Sequence, residues 1–296
     1  MRTSTRQDYE RRVLKIQQCI EARLGDKVPP TELAKEAGMS LHHFHRVFRG
    51  LTGESVMEFS RRLHLERAAR QLAAADRPVL DIALDAGYQS HEAFTRAFVE
   101  LFNVAPSRYR GEAAQRSTDI ACSVPPPKDV EIRTEPTRKV VCMRHVGHYL
   151  GVGQTWQALV GWYAQHLATH PGAMPIEQIK MYGLVPDDPH ITDVTRLRYD
   201  ACIEVPNTVQ DKLLTQGPVS LRQIPGGTYA VCVHEGPYET LADSYVGLIG
   251  AWLPSSGHVL AAEPVVECYL NSPRDAAPTD LRTEIWVRIE ERGWML

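Results

Sequence analysis

Ser90, His91, Glu92, Thr95 and Arg96 lie on one face of a helical pattern whose other face carries Phe94, Ala97, Phe98 and Leu101 at 3,4 spacing. Hydroxyl, imidazole, carboxylate and guanidinium groups near a helix N-terminus can hydrogen-bond base edges once that end enters a DNA major groove. An arginine there offers two parallel donors to guanine. Earlier in the chain Ser40, Leu41, His42, His45 and Arg46 stand in the same relation to Phe44 and Phe48. The competing reading is the solvated face of a small helical hairpin. A second chemistry is offered near the C-terminus, where Glu284 and Trp286 alternate along one strand face. A carboxylate beside aromatic rings suits a cationic or amphipathic organic molecule, through charge and a cation–π contact of about 0.5–2 kcal/mol. Tyr149 and Tyr238, at two matched turns, are either walls of that cleft or core. The competing assignment for Glu284 is a surface carboxylate paired with Arg282 or Arg288.

The elements that must position the first set are two helix-turn-helix units. In the stretch Ile82 to Arg110 a short apolar stripe, Ile82, Ala83 and Ala86, is stopped by Gly87, and Ser90 caps the next helix. Leu33 to Gly53 repeats this position by position. Ala34, Ala37 and Gly38 answer to Ala83, Ala86 and Gly87, and after one extra residue in the second turn, Phe44, Arg46 and Phe48 answer to Phe94, Arg96 and Phe98. Tyr9 to Leu24 reads as an amphipathic packing helix. Ser55 to Ala75 reads as a long strut with Arg61, Arg62, Arg67 and Arg70 available to solvent or phosphate, ending at a break over Asp76 to Pro78. Such a strut would hold two reading helices about 34 Å apart, one turn of DNA.

The 296 residues allow two domains, and 43% apolar with 23% charged residues is the balance of a soluble globular protein. No apolar run is long enough to span a membrane and no secretory signal opens the chain, so the expected location is the cytoplasm. Residues 1–112 carry a net charge of +3 and the remainder −6, which assigns any DNA contact to the first part. Cys19, Cys122, Cys142, Cys202, Cys232 and Cys268 form no C-x-x-C pair and read as buried or idle thiols rather than zinc ligands or disulfides. His42, His43 and His45 hint at metal but lack a partner cluster, so neither a metal nor a cofactor is expected.

Residues 113–128, small and polar and then Pro125 to Pro127, read as a stiff linker. Residues 129–296 turn to β-branched alternation. A strand at Lys139–Val146, a helix at Gly151–Leu167 and strands at Gln178–Val185 and Arg196–Val205 are followed by a second copy. There Val231, Cys232, Gly236 and Tyr238 echo Val141, Cys142, Gly147 and Tyr149, with a helix at Tyr238–Leu253 and strands at Pro264–Asn271 and Leu281–Glu290. The fold class expected is therefore an all-α double helix-turn-helix domain (residues 1–112), then an α+β domain. In the latter a duplicated strand-helix-strand-strand unit gives an antiparallel sheet with both helices on one face and the other face free. If Leu281, Thr283, Ile285, Val287 and Ile289 pack on the helices, Glu284 and Trp286 open into the cleft.

The duplicated motif, closing on Pro106, Tyr109 and Arg110, resembles the DNA-binding domain of AraC/XylS-type regulators over roughly residues 7–111. The paired Val-Gly-His-Tyr (146–149) and Glu-Gly-Pro-Tyr (235–238) turns, with GLVPDDP (183–189), RYDACIEV (198–205) and LRTEIWVRI (281–289), resemble a GyrI-like small-molecule-binding domain over residues 129–292. Reader first and sensor second is the order of Rob-type regulators. The resemblance implies a ligand-facing glutamate on the last strand, Glu284. It also implies a transcription regulator with double-stranded DNA, a small-molecule effector and RNA polymerase as partners, no membrane, and no enzyme activity. The alternative it carries is a hydrolase in which Glu284 orients or deprotonates water. A hydrolase has no use for two helix-turn-helix units, which favours the regulator.

Overall fold

The computed structural model describes residues 5–291 except 27, 75, 76, 169, 171, 176, 177, 212, 213, 215 and 216, and leaves aside the side chains of 5, 117, 118 and 120–122. The thiol expected at Cys122 and part of the break at Asp76 to Pro78 lie outside the described residues. The chain divides into two compact units, residues 1–116 and 117–296.

The first unit is helical: α1 (Thr5–Ala22), α2 (Pro30–Glu36), α3 (Leu41–Thr52), α4 (Val56–Ala74), α5 (Val79–Asp85), α6 (His91–Phe102) and the greater part of α7 (Pro106–Ser123), whose last residues are counted with the second unit. Helices α2 and α5 each end in a left-handed glycine, Gly38 at φ +65° and Gly87 at φ +84°, the region only a residue without Cβ enters cheaply. In both turns the last carbonyls are satisfied alike, by Met39 N to Ala34 O and by Tyr88 N to Ala83 O. Helices α3 and α6 end on left-handed residues too, Gly53 and Asn103. Each is anchored by an aromatic pair, Phe44 with Phe48 and Phe94 with Phe98, all fully buried. The duplication seen in sequence is thus a duplication of caps and anchors. The strut differs in one respect: Arg62 is buried, held between Glu54 (2.6 Å) and Glu66 (3.1 Å), so it reaches neither solvent nor phosphate. Its guanidinium lies over the Phe59 ring at 5.2 Å, which makes it a packing residue of α4.

Helix α7 runs through the stretch expected to be linker. Ala113, Ala114 and Gln115 are good helix formers, and the helix stops at Ser123, ahead of the prolines that cannot continue it. The proline segment follows the helix without regular structure, and Pro125 O and Pro127 lie so close to Gly247 that a Cβ there would sit 3.2 Å from the carbonyl.

The second unit contains β1 (Glu131–Glu135), β2 (Arg138–Val146), α8 (Val152–His166), β3 (Met181–Val185), β4 (Arg198–Glu204), β5 (Ser220–Ile224), β6 (Gly227–Glu235), α9 (Leu241–Tyr245), β7 (His258–Leu260), β8 (Val265–Tyr269) and β9 (Arg282–Glu291). Among the described residues these strands form one antiparallel sheet in the order β1-β6-β9-β8-β3-β4-β2-β5, with β7 on β9. The expected duplication is present, with helices on one face. Leu159, Trp162 and Tyr163 of α8 cover Val141, Met143, Ala201 and Ile203. Leu241, Leu248 and Leu253, on α9 and the π-helical (Val246–Trp252) and 3-10 (Leu253–Ser255) turns that continue it, cover Ala230, Cys232, Ile285 and Val287.

The other face is not free. β1 lies at one end of the strand order, yet a tight turn joins it to β2 near the other end, and β5 and β6 are joined likewise. Both ends must therefore come together, and Gly226 N donates to Thr137 Oγ1 where the two turns meet (3.0 Å). The sheet curls and packs its second face on itself, burying Val140, Tyr182, Leu184, Tyr229, Val231, Val266 and Trp286. β1, β5 and β7 carry no clear alternation, so the sequence reading did not see the elements that close the curl. Cys142 and Cys202 face one another across β2 and β4, Cα atoms 4.2 Å apart, and are joined as a disulfide, against the expectation of idle thiols. The ladder register brings together two cysteines that sequence separation hides.

Candidate functional site

In the first unit the site is the exposed side of α3 and α6. Packing of the Phe pairs turns His42 and Arg46 outward on α3, and His91, Glu92 and Arg96 outward on α6. Ser40 is exposed at the start of α3. Leu41 is half-buried against the core of the first motif, so it packs more than it reads. His45 is half-buried with its ring 5.8 Å from Phe44. Ser90 caps α6 by accepting from Ala93 N at 3.2 Å, whereas Ser40 makes no such cap bond, so the extra residue in the second turn alters the helix start. Thr95 is half-buried, and its hydroxyl has no partner among the described residues. The Glu92 carboxylate is held below the usual range by its own backbone N–H, then by Ser90, in keeping with an anion at a helix N-terminus. The first head is further tied to α1: Arg12 donates to Ala37 O (3.2 Å) and Gly38 O (3.3 Å), and His43 meets the Tyr9 hydroxyl at 3.0 Å. That contact gives His43 a packing role.

In the second unit, Glu284 and Trp286 do not open into a cleft. Arg133 of β1 holds both Glu284 oxygens, at 3.2 and 2.7 Å, and lies over the Trp286 ring at 5.1 Å. Trp286 Nε1 donates to the same carboxylate at 2.8 Å, and the ring is 2% exposed. The aliphatic face of β9 packs on the helices as expected, but the face that carries Glu284 is the inside of the curl. Glu284 is neutralised there by an arginine whose strand the sequence did not reveal.

The carboxylate on the helix-facing side is Glu267 of β8. It is buried, and three phenols donate to it: Tyr245 to Oε1 at 2.8 Å, Tyr199 to Oε2 at 3.3 Å, and Tyr269 to Oε2. Tyr199 and Tyr269 also share a hydroxyl contact, and Trp156 Nε1 donates to Tyr199 Oη at 3.3 Å. The half-exposed rings of Trp156 and Tyr238 stand edge-on to Tyr269, at 5.4 and 5.6 Å. Tyr149 stands 6.3 Å from Tyr199 and donates to Asp187 O. Of the four ligand residues expected from sequence, Tyr149 and Tyr238 therefore join this cluster, while Glu284 and Trp286 do not.

No arginine or lysine among the described residues forms an ion pair with Glu267. Burial pushes its pKa up, opposed in part by the hydroxyls of Tyr269, Tyr245 and Tyr199. Burial and then this carboxylate raise Tyr199, Tyr245 and Tyr269 far above the phenol range, and push Tyr238 up to about 12. All four are neutral hydroxyls at any physiological pH.

The duplication places these groups. His145 and His234, at the ends of β2 and β6, make matching bonds: to His148 O and Thr155 in the first repeat, to Pro237 O and Ser244 in the second. Each imidazole pins a helix start to a strand end, which sets Tyr149 with Trp156 in one repeat and Tyr238 with Tyr245 in the other. Between the repeats the central strands pair antiparallel with Gly183 opposite Glu267. The signal missed in sequence was the lone carboxylate in Val265–Tyr269, an otherwise apolar strand where a charge needs a reason.

A family model of a GyrI-like small molecule binding domain matches residues 128–290, and a helix-turn-helix domain matches residues 33–112. The chain belongs to the AraC-type regulators that carry a C-terminal GyrI-like domain. It is 25% identical to the transcriptional regulator Rob of Salmonella typhimurium, over 91% of this chain and 95% of that one, with the same domain order. It is 40% identical to the regulatory protein SoxS of the same organism, over 26% of this chain and 73% of SoxS. To the HTH-type regulator YbfP of Bacillus subtilis it is 35% identical over 34% of this chain, and it spans 35% of YbfP's length. No helix among the described residues is long and apolar enough to cross a membrane.

Proposed function

We propose that the protein is a one-component transcription regulator of the cytoplasm that reads duplex DNA with α3 and α6 and binds a small organic cation at Glu267. The observation that carries the ligand reading is a buried carboxylate with three phenol donors, two further aromatic walls and, among the described residues, no arginine or lysine paired with it. A dry anion is costly unless a cation joins it, and aromatic faces favour a cation that is weakly hydrated. Exposed arginines at matched positions of two recognition helices, in the more basic half of the chain, support the DNA reading. RNA polymerase is the expected protein partner, as for regulators of this family.

The test uses phenyltrimethylammonium and its neutral isostere tert-butylbenzene on the full chain by calorimetry, with duplex selection from a random library in parallel. Tighter binding of the cation, lost in Glu267→Gln, supports the ligand reading, and equal binding of both probes refutes it. Enrichment of no duplex refutes DNA reading. The hydrolase alternative rested on Glu284 as a base, and the Arg133 fork on both its oxygens does not favour that role.

A further inference from the structure

Gly183 sits at the middle of β3, in the centre of the sheet, where a glycine weakens a strand and contributes no packing. Its backbone needs no unusual φ, so conformational freedom does not explain it. Space does. A Cβ on Gly183 would lie 2.2 Å from Tyr199 Oη, 2.6 Å from Tyr199 Cζ and 2.9 Å from Glu267 Oε2. The phenol that donates to Glu267 therefore occupies the volume a side chain at 183 would take. The same position in the other repeat is Glu267 itself: the step along the chain that carries Gly183 to Glu267 also carries Leu197 to Leu281, whose carbonyls accept from the equivalent Gly147 and Gly236. Paired across the repeat axis, two carboxylates would face each other at cross-strand distance and repel. The second repeat keeps the acid, and the first leaves a gap that its own Tyr199 fills, the phenol that donates to that acid.

We propose that Gly183 is a positioning residue of the ligand site, acting through Tyr199: its missing side chain admits the Tyr199 hydroxyl to Glu267, and a Cβ there detaches that hydroxyl from the carboxylate. The proposal rests on the cation-site reading for its consequence, weaker binding of a cation, but not for the contact itself. A carboxylate that loses a donor holds its proton more tightly and presents less charge to a ligand.

The experiment follows the Glu267 carboxyl of the full chain by carbon-13 NMR, the signal assigned by its loss in Glu267→Gln, across a pH titration of wild type, Gly183→Ala, Tyr199→Phe and the double variant. Each single variant should move the Glu267 midpoint upward, and the double variant no further than the larger single shift, because both remove one hydrogen bond. An unchanged midpoint in Gly183→Ala, or additive shifts, overturns the proposal. Where Gly183→Ala does not fold, Tyr199→Leu, which removes the two Tyr199 atoms nearest the added Cβ and leaves only Glu267 Oε2 at 2.9 Å, should restore folding, and failure to restore it overturns the proposal equally. Phenyltrimethylammonium affinity should fall about tenfold in Gly183→Ala while tert-butylbenzene affinity stays within about twofold. If wild type binds neither probe, the ligand reading fails, and the NMR cycle still decides the role of Gly183.

Discussion

Replacing Glu267 by glutamine should make the protein more stable and a worse receptor at once. The amide keeps the size, its oxygen still accepts from the phenols on one side and its NH2 donates to a phenol oxygen on the other, so what disappears is a buried charge that no arginine or lysine among the described residues pairs with. In contact with the carboxylate, a ligand cation would lie about 4–5 Å away, where an effective dielectric of about 20 gives roughly 3–4 kcal/mol of attraction. Dehydrating the cation returns about half of this. The net, about 1.5–2 kcal/mol, corresponds to roughly 10- to 30-fold weaker binding of phenyltrimethylammonium, with tert-butylbenzene nearly unaffected. Stability moves the other way. The folded-state pKa of Glu267 is raised above its ordinary 4.5, so its contribution to stability is fully present below that value and is lost as pH rises through the folded pKa. Glutamine carries no such loss. The variant should thus exceed wild type in denaturant midpoint at pH 8, and the gap should close towards pH 4. Asp200 works in the opposite sense. Burial opposes its charge, but Arg144 and Arg222 outweigh that and hold it well below the carboxylate range, so both proteins lose stability together in strong acid. Urea titrations at a series of pH values, with calorimetry at pH 7.5, measure all of this. A glutamine variant less stable than wild type at pH 8, or equal affinity losses for the two probes, would refute the reasoning.

Arg46→Ala and Arg96→Ala should each cost roughly 1–3 kcal/mol of specific DNA binding and relax preference in one half-site only, read by selection from a random duplex library. Glu92→Gln should alter preference in the second half-site alone, since α3 offers no acidic counterpart, and a palindromic footprint with identical halves would contradict two unequal heads. Arg62→Met should destabilise the first unit by about 3–5 kcal/mol by removing the buried guanidinium that bridges Glu54 and Glu66, visible as a lower urea midpoint, while exposed Arg61→Met changes it little. Trp286→Ala should cost about 3–5 kcal/mol of stability by emptying the inside of the curl, in contrast to the loss of ligand stacking that its sequence position suggested.

The sequence by itself determined everything that rests on local chemistry. Two glycine-stopped turns, the Phe pairs at 3,4 spacing and the serine at the start of α6 follow from propensities and periodicities that act within a dozen residues, and both helix-turn-helix units appear where those signals lie. The repeated strand-helix-strand-strand pattern, and with it Tyr149 and Tyr238, was legible for the same reason: alternation tells which residues share a face. Alternation does not tell what covers that face. Glu284 and Trp286 do share one, but β1 and β5, too short and polar to announce themselves, curl the sheet so that it lies inside, against Arg133. Ladder register decided the rest. It joined Cys142 to Cys202 and set Gly183 against Glu267, with three tyrosines from three elements converging on one carboxylate. Such contacts depend on how distant strands slide past one another, a choice made by the burial of whole faces rather than by any neighbouring residues.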